Sequence, residues 1–472
     1  MQRSISRRGA IAAGTAGIAS LAGCGILGSE DPFERAVAEG WPIDIGVLAP
    51  LSGPFERFGE QMQEAITVVE AQVMAADTEY WVDFTIEDTE SDPATAVEAA
   101  SSLHDDGIEV FLGPALDESV IDVMDEVLFP ETAAGITPIG VRGWDATDTE
   151  DLLFSTAPTT SSVGNALARM VDTQRYPAVS IIHGDGVYGS AIQESLEADL
   201  SGRGVDIPVS VTVDEEAEEI DASGIIEEAH EADSEAVVLI TNPGDGQLLL
   251  EEYYDQYDPK DIIVTDRMRD PELPDELGID LEGVIAVGIE PAHTRGGFAG
   301  RVEEYEEGVI AELDVDLGEE IENLRGDTVD LSIDDDLEAE DILQPFHVVF
   351  DALFDHRPTI QTMQAYDAAV ILMLAGFQVG EGNYSGDRVG SAIPRVADFP
   401  GAVGDVASYG HRDWWDGLGE IGGGVTNAYD GATGNMHIVE LTGLREDVEM
   451  NAVEFAPDTE EGFEEVFPLG TM

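Results

Sequence analysis

From Ile43 to Val287 the chain alternates short apolar runs with stretches whose apolar residues recur every three or four positions. That alternation constrains the fold more than any other feature. Strands separated by helical segments pair in parallel, with helices covering the sheet. Residues 43–49 form the first run, and 50–54 the turn that closes it. Phe58, Met62, Ala65, Ile66, Val69 and Val73 then fall at helical spacing. A strand is predicted over 82–87, and Asp92-Pro93 opens a helix to Leu103, with Asp at the N-cap and Pro at the first helical position. Residues 109–113 and 135–141 read as the third and fourth strands, with a helix over 119–128 between them.

A second series follows, with strands over 178–183, 206–213, 236–241, 262–265 and 284–287 and helices over 189–200, 222–232 and 245–254. Two consecutive parallel series of similar size predict two α/β lobes. Ligands of such sheets bind beyond the carboxyl ends of the strands, so two lobes can face one cleft. After residue 295 the pattern changes. Helices are predicted over 297–311, 359–377 and 386–396, a loop at 422–424 and a late strand at 436–441, with an acidic insertion at 312–341.

The N-terminus carries an address. Arg7-Arg8 precede a weakly apolar run from Gly9 to Ala22, which Leu21-Ala22-Gly23-Cys24 closes. A basic start, a short apolar region and a small-residue site read as an export signal, and the paired arginines match the twin-arginine type. Cys24 is the only cysteine among 472 residues, placed where a lipoprotein cysteine is acylated. The reading is a signal over 1–23, a lipidated tether over 24–42, and a body held on the outer face of the cytoplasmic membrane. One cysteine excludes an intramolecular disulfide scaffold.

The chain has 100 acidic and 20 basic residues, a net charge of −80, and Lys260 is its only lysine. Self-repulsion of that size strains a compact fold in dilute buffer. Multimolar salt shortens the screening length to about 3 Å and largely removes it. The acid is spread along the chain between apolar periodic positions, a solvated-surface pattern of the kind found in salt-loving archaea. It excludes nucleic-acid binding, which needs a basic footprint.

Several motifs carry a family resemblance. The turn Pro50, Ser52, Gly53 and Pro54, with Gly59 opening the next helix, resembles the start of the branched-chain amino-acid-type solute-binding proteins of ATP-driven importers. The segments EDTESDPATAVEAASSL, FLGPALDES and GITPIG continue the likeness. HGDGVYGSAIQESL resembles the family's Asp-x-x-Tyr-Gly motif, and NAYDGATGNMHI its late Tyr-Asp-Gly-x-x-Gly turn. The resemblance implies a type I periplasmic-binding-protein fold, α/β in class: two flavodoxin-like lobes joined by three crossings, with a hinge and a central ligand cleft that closes on solute. Lobe 1 is expected over 43–158 with 289–425, and lobe 2 over 159–288 with 426–455.

It also implies site positions. The turns after strands three and four hold an amino acid's carboxylate in the family, and here they carry Asp117 and Ser119, then Arg142, Gly143 and Trp144. Hydroxyls are mostly missing, which leaves Arg142 as the charge partner for a carboxylate. Its structural alternative is a salt bridge to Asp117 or Asp145. Ser119 is a ligand contact or a helix cap, and Trp144 a stacking or a packing residue. Tyr188 matches the family's ligand-contacting aromatic of the second lobe. Asp266, beside Arg267, matches the acid that takes an ammonium group. Asn242 and Asp245 end another second-lobe strand, and Ser52 and Phe55 are weaker candidates.

No nucleophile elbow, phosphate loop or metal-ligand spacing is present in the sequence, so neither an enzyme nor a cofactor is expected. The expected partners are a small polar solute, an amino acid or amide, and the permease and ATPase subunits of an importer. The protein is expected to be a monomer. A lipoprotein that presents its ligand to a signalling receptor is the alternative on the same fold.

Overall fold

A computed structural model describes residues 41–76, 80–140, 152–215, 217, 220–291, 343, 345–354, 356–380, 383–397, 406–410, 414–417, 426–433, 436, 438, 445, 448–456 and 463–472. The first lobe begins with β1 (Trp41–Ala49), α1 (Glu56–Ala75), β2 (Tyr80–Asp88), α2 (Pro93–Asp105) and β3 (Val110–Leu112). Next come α3 (Asp117–Val123), which runs on through a π turn at Met124–Leu128, and then β4 (Ala134–Thr137) and β5 (Leu153–Ser155). The five strands are parallel in the order β2-β1-β3-β4-β5, the flavodoxin-type order. Ile43, Ile45, Val47 and Leu48 are all fully buried. Burial on both faces is what a central parallel strand requires. Local signals act as read: Oδ1 of Asp92 accepts from the Thr95 N–H at 2.8 Å, and Pro93 is the first residue of α2.

The second lobe contains α4 (Thr160–Gln174), β6 (Val179–Gly184), α5 (Val187–Arg203), β7 (Ser210–Val213), α6 (Ala222–Glu231) and β8 (Ala236–Ile240). It continues with α7 (Pro243–Gln256), β9 (Asp261–Thr265), α8 (Leu273–Leu277) and β10 (Ile285–Ile289). The chain then returns to the first lobe through α9 (Phe346–Leu353), α10 (Ile360–Val379) and α11 (Gly386–Ala397). A parallel pair follows, β11 (Val406–Gly410) with β12 (Thr426–Asp430). The last strands, β13 (Glu449–Phe455) and β14 (Phe463–Thr471), close the second sheet, whose order is β14-β13-β10-β9-β8-β6-β7. The five parallel strands β7-β6-β8-β9-β10 repeat the order of the first sheet, and β13 pairs antiparallel with both β10 and β14.

Among the described residues α10 is the one helix long and apolar enough to cross a membrane, yet 94% of its apolar window is buried in the protein. It is the core helix of the first lobe. Tyr366 donates to Oε1 of Gln72 on α1 at 2.7 Å and accepts from the Trp414 indole N–H at 2.8 Å.

Four features differ from the sequence reading. β5 and α4 stand between the two expected series. β13 and β14 carry the second sheet to Thr471, past residue 455. Residues 426–433, expected with the second lobe, bond to α10 instead, through Tyr429 and Thr433 to Asp367. Over 436–441, where a strand was expected, the described residues show only an isolated bridge, Ile438 to Arg445. The predicted helix at 297–311, the insertion 312–341 and the loop 422–424 lie outside the described residues.

The crossings between lobes are cross-tied. Nη1 of Arg445 donates to the Thr156 carbonyl at 2.7 Å and to the Thr433 hydroxyl at 2.8 Å, and Nη2 donates to the Thr433 carbonyl. Thr156 lies where the chain leaves β5 for α4, and Arg445 lies shortly before β13, so one buried guanidinium holds the first and third crossings together.

Candidate functional site

The turns at the carboxyl ends of β1, β3, β6 and β9 carry the candidate residues, and tight backbone packing shapes the first two. Gly113, at φ +96°, ends β3, and a Cβ there would stand 2.5 Å from the Leu48 carbonyl oxygen. A Cβ on Gly59 would stand 2.2 Å from the Pro50 carbonyl oxygen. Only glycine lets α1 approach the β1 turn this closely. In that turn Ser52 donates to Oδ2 of Asp88 at 2.8 Å and its carbonyl accepts from Ser91. Phe55 is the N-cap of α1.

Asp117 is the first residue of α3, facing the second lobe. Its Oδ2 lies 3.5 Å from Nη2 of Arg267, which follows β9. Burial pushes its carboxyl up to about 6, against the downward pull of Arg267. The helix starts two residues before Ser119, so Ser119 is not its cap. Oγ of Ser119 and Oδ1 of Asp117 are buried, with no hydrogen-bond partner among the described residues.

Tyr188 lies in the first turn of α5, buried. The Arg267 guanidinium carbon stands 3.4 Å above its ring centroid, a stacked cation–π contact. The Tyr188 hydroxyl donates to Oδ1 of Asp266 at 3.1 Å. Burial first, and then the Asp266 carboxylate, push the phenol well above its ordinary range. Burial raises Asp266 too, with Arg267 and the Tyr188 hydrogen bond opposing. Glu215 is raised by burial as well and is coupled electrostatically to Arg267. Thr241, at the end of β8, has a buried hydroxyl without a partner among the described residues.

The structure therefore brings Asp117, Ser119, Tyr188 and Asp266 to the facing ends of the two sheets. Asn242 has another use: it caps α7 by accepting from the Asp245 N–H at 2.9 Å, and it donates to Glu215 and Asp245. Ser52 bonds within its own lobe. Arg142, Gly143 and Trp144 lie outside the described residues. Among the described residues the ionic partner of Asp117 is Arg267. Sequence reasoning named Arg267 only as a neighbour of Asp266 and missed Glu215, which lies in an acidic stretch that gives no local signal.

Among the described residues, two ion-pair groups bridge the lobes. Besides Asp117–Arg267, the Arg57 guanidinium of α1 contacts both Asp270 and Glu276 of the second lobe. A site whose walls come from two lobes joined by three crossings can enclose a small molecule by hinge closure.

The family model for periplasmic binding proteins matches residues 42–295, more than half of the chain. The chain belongs to that family. A Leu/Ile/Val-binding protein homologue of Brucella melitensis is 29% identical over 167 residues, 34% of this chain and 45% of that protein. The chain spans about half the length of the curated relatives it matches. The leucine-binding protein LivK of Thermotoga maritima has a TM-score of 0.62 at 13% identity, covering 91% of this chain and 99% of its own. A solute-binding protein of an R. palustris ABC transporter, in complex with benzoate, has a TM-score of 0.64 at 11% identity, covering 91% of this chain and 97% of its own. At these identities the likeness is one of fold: the type I periplasmic-binding-protein architecture of the branched-chain amino-acid type.

Proposed function

We propose that the chain is the solute-binding component of an ABC importer. It binds a small polar solute, an amino acid or amide, in the cleft between its lobes and delivers it to a permease. The observation that carries this reading is the meeting of Tyr188, Asp266 and Arg267 from the second lobe with Asp117 from the first. These groups stand at the carboxyl ends of two flavodoxin-type sheets, where such sheets take ligands. Solute would act by stabilising the closed form over the open one. Ser119, and Arg142, Gly143 and Trp144 from the turn after β4, complete the proposed lining, and Ser52 braces its first-lobe edge.

The same proposal includes export by the twin-arginine route and lipid attachment at Cys24, with residues 25–42 as a tether. Lobe 1 is formed by 43–158 with the return segment, and lobe 2 by 159–288 with the last strands. The acid excess suits a surface that works in multimolar salt.

A thermal-shift screen in multimolar KCl tests the binding reading. The panel is amino acids, amides, urea, short peptides, sugars, nucleosides and aromatic carboxylates. A solute that binds only the folded state adds about 2.7 kcal/mol at a hundredfold excess over its dissociation constant. One responding chemical class supports the proposal. A folded protein that responds to none of them contradicts it.

A further inference from the structure

The cleft already holds a cation, and it belongs to the chain. The guanidinium of Arg267 lies 3.4 Å above the Tyr188 ring and 3.5 Å from the Asp117 carboxylate. An aromatic face bordered by carboxylates is a place for an organic cation. Among the described residues three acids gather there, Asp117, Asp266 and Glu215; the Arg267 guanidinium acts on all three, and only Asp266 also feels a second one, that of Arg269. Buried carboxylates in excess of cations are costly unless a further positive group joins them. Oδ1 of Asp117 and Oγ of Ser119 are buried acceptors without a donor among the described residues.

Arg267 is also loosely held. Its ion pair with Asp117 is at the limit of a hydrogen bond, and its side chain retains 18% exposure. Arg269, two residues on, is the contrast. It is buried and donates to the Ile289 carbonyl at 2.8 Å and to Oδ1 of Asn451 at 2.9 Å. A long, partly exposed side chain held by one stacking contact and one long ion pair can swing out to solvent when an incoming cation takes over both contacts.

We infer that Arg267 is an internal competitor in the cleft: it fills the place of a ligand's cationic group, and a solute bearing an ammonium or amidinium group enters by displacing it. This rests on the solute-binding reading above and narrows the solute to those that present a cation to Tyr188, Asp117 and Asp266. An anion-only solute such as benzoate has no such group to offer. Displacement also sets a threshold, because a weak cation, or one too bulky to stack, leaves Arg267 in place.

The test titrates methylguanidinium into the full-length protein and its Arg267→Ala and Arg267→Gln variants by calorimetry in multimolar KCl. The glutamine variant keeps a polar stem if the alanine variant does not fold. The expected result is at least tenfold tighter binding to the variants, with the gain lost in Arg267→Ala combined with Tyr188→Ala. Agmatine follows the same order, and benzoate binds none of the proteins. Equal or weaker methylguanidinium binding in the variants overturns the inference. Benzoate binding to the wild type that disappears in the variants also overturns it, because Arg267 would then be an anion anchor. A solute from the wider panel that binds the wild type, with no methylguanidinium difference, overturns the displacement and leaves the solute-binding reading standing. A methylguanidinium difference with no panel solute bound supports the cation place while contradicting that reading.

Discussion

Arg57 places Nη1 2.7 Å from Oε1 of Glu276, 219 residues along the chain and in the other lobe. Its Nη2 reaches Asp270. The chain has only 20 basic residues, and this one links the lobes at the rim of the cleft. The pair exists only while the lobes are together, so it acts on closure more than on folding. Side-chain exposures of 44% for Arg57 and 39% for Glu276 limit its worth to about 0.2–1 kcal/mol. Arg57→Ala is expected to weaken solute affinity by about two- to fivefold, as 1.4 kcal/mol is tenfold, with little change in melting temperature. Titrations at two KCl concentrations check it, since the loss grows as screening falls.

Asp117 gives this conformation a pH dependence of known sign. Burial, partly offset by Arg267, holds its carboxyl at about 6, above the ordinary value of about 3.9. The folded state therefore binds this proton more tightly than the unfolded chain. The contribution is fully present below about pH 4 and is lost as pH rises to about 6. Its size is about 3 kcal/mol. Asp266 and Glu215, also raised by burial, act in the same direction. Melting curves of the wild type and Asp117→Asn between pH 4.5 and 7 isolate Asp117. The wild type is expected to fall relative to the variant as pH rises.

Asp367 accepts four hydrogen bonds in the core of the first lobe. Fully buried in α10, it accepts from the Tyr429 hydroxyl at 2.7 Å, the Ala432 N–H at 2.6 Å, the Thr433 N–H at 2.9 Å and the Thr433 hydroxyl at 2.6 Å. Removing it strands several buried donors, at about 1–3 kcal/mol each when unmet. Asp367→Ala is expected to cost at least about 3 kcal/mol in urea unfolding at fixed KCl. Asp367→Asn is expected to cost less, because one acceptor oxygen remains.

Gly59→Ala is expected to cost about 1–3 kcal/mol, as overpacking does. The new Cβ would meet the Pro50 carbonyl oxygen, a backbone atom that cannot rotate away. The strain falls on the turn that carries Ser52, so solute affinity is expected to drop with stability. Gly202→Ala, in α5 with nothing within 4 Å of its Cβ, is the matched control and is expected to stabilise by about 0.5–1 kcal/mol. Melting temperatures of the two variants decide it.

Legibility in the sequence followed the range of the forces involved. β1, α1 and α2 were readable because burial periodicity and the Asp92-Pro93 start act within a few residues. β5 escaped because Leu153–Ser155 is three residues long. α4 escaped because its opening Thr159-Thr160-Ser161-Ser162 has the composition of a turn, although Thr159 in fact caps the helix through the Ser162 N–H. β13 and β14 escaped because glutamates interrupt them in a chain where acid is everywhere. Of the candidate site residues, Tyr188 and Asp266 were proposed from their position in the family pattern. The stacking of Arg267 on Tyr188 and its pairing with Asp117 join residues 79 and 150 positions apart. No spacing rule reaches that far.

The central claim is that solute draws the two lobes together, and an inter-lobe distance tests it most directly. Spin labels at Ser102→Cys on α2 and Ser201→Cys on α5, both exposed, would be placed in a Cys24→Ser background. The distance distribution would be recorded in multimolar KCl with and without a saturating amount of the solute found by the thermal screen. The account predicts that solute shifts the population to the shorter distance and that Tyr188→Ala abolishes the shift. A distribution unchanged by a solute that demonstrably binds would contradict it.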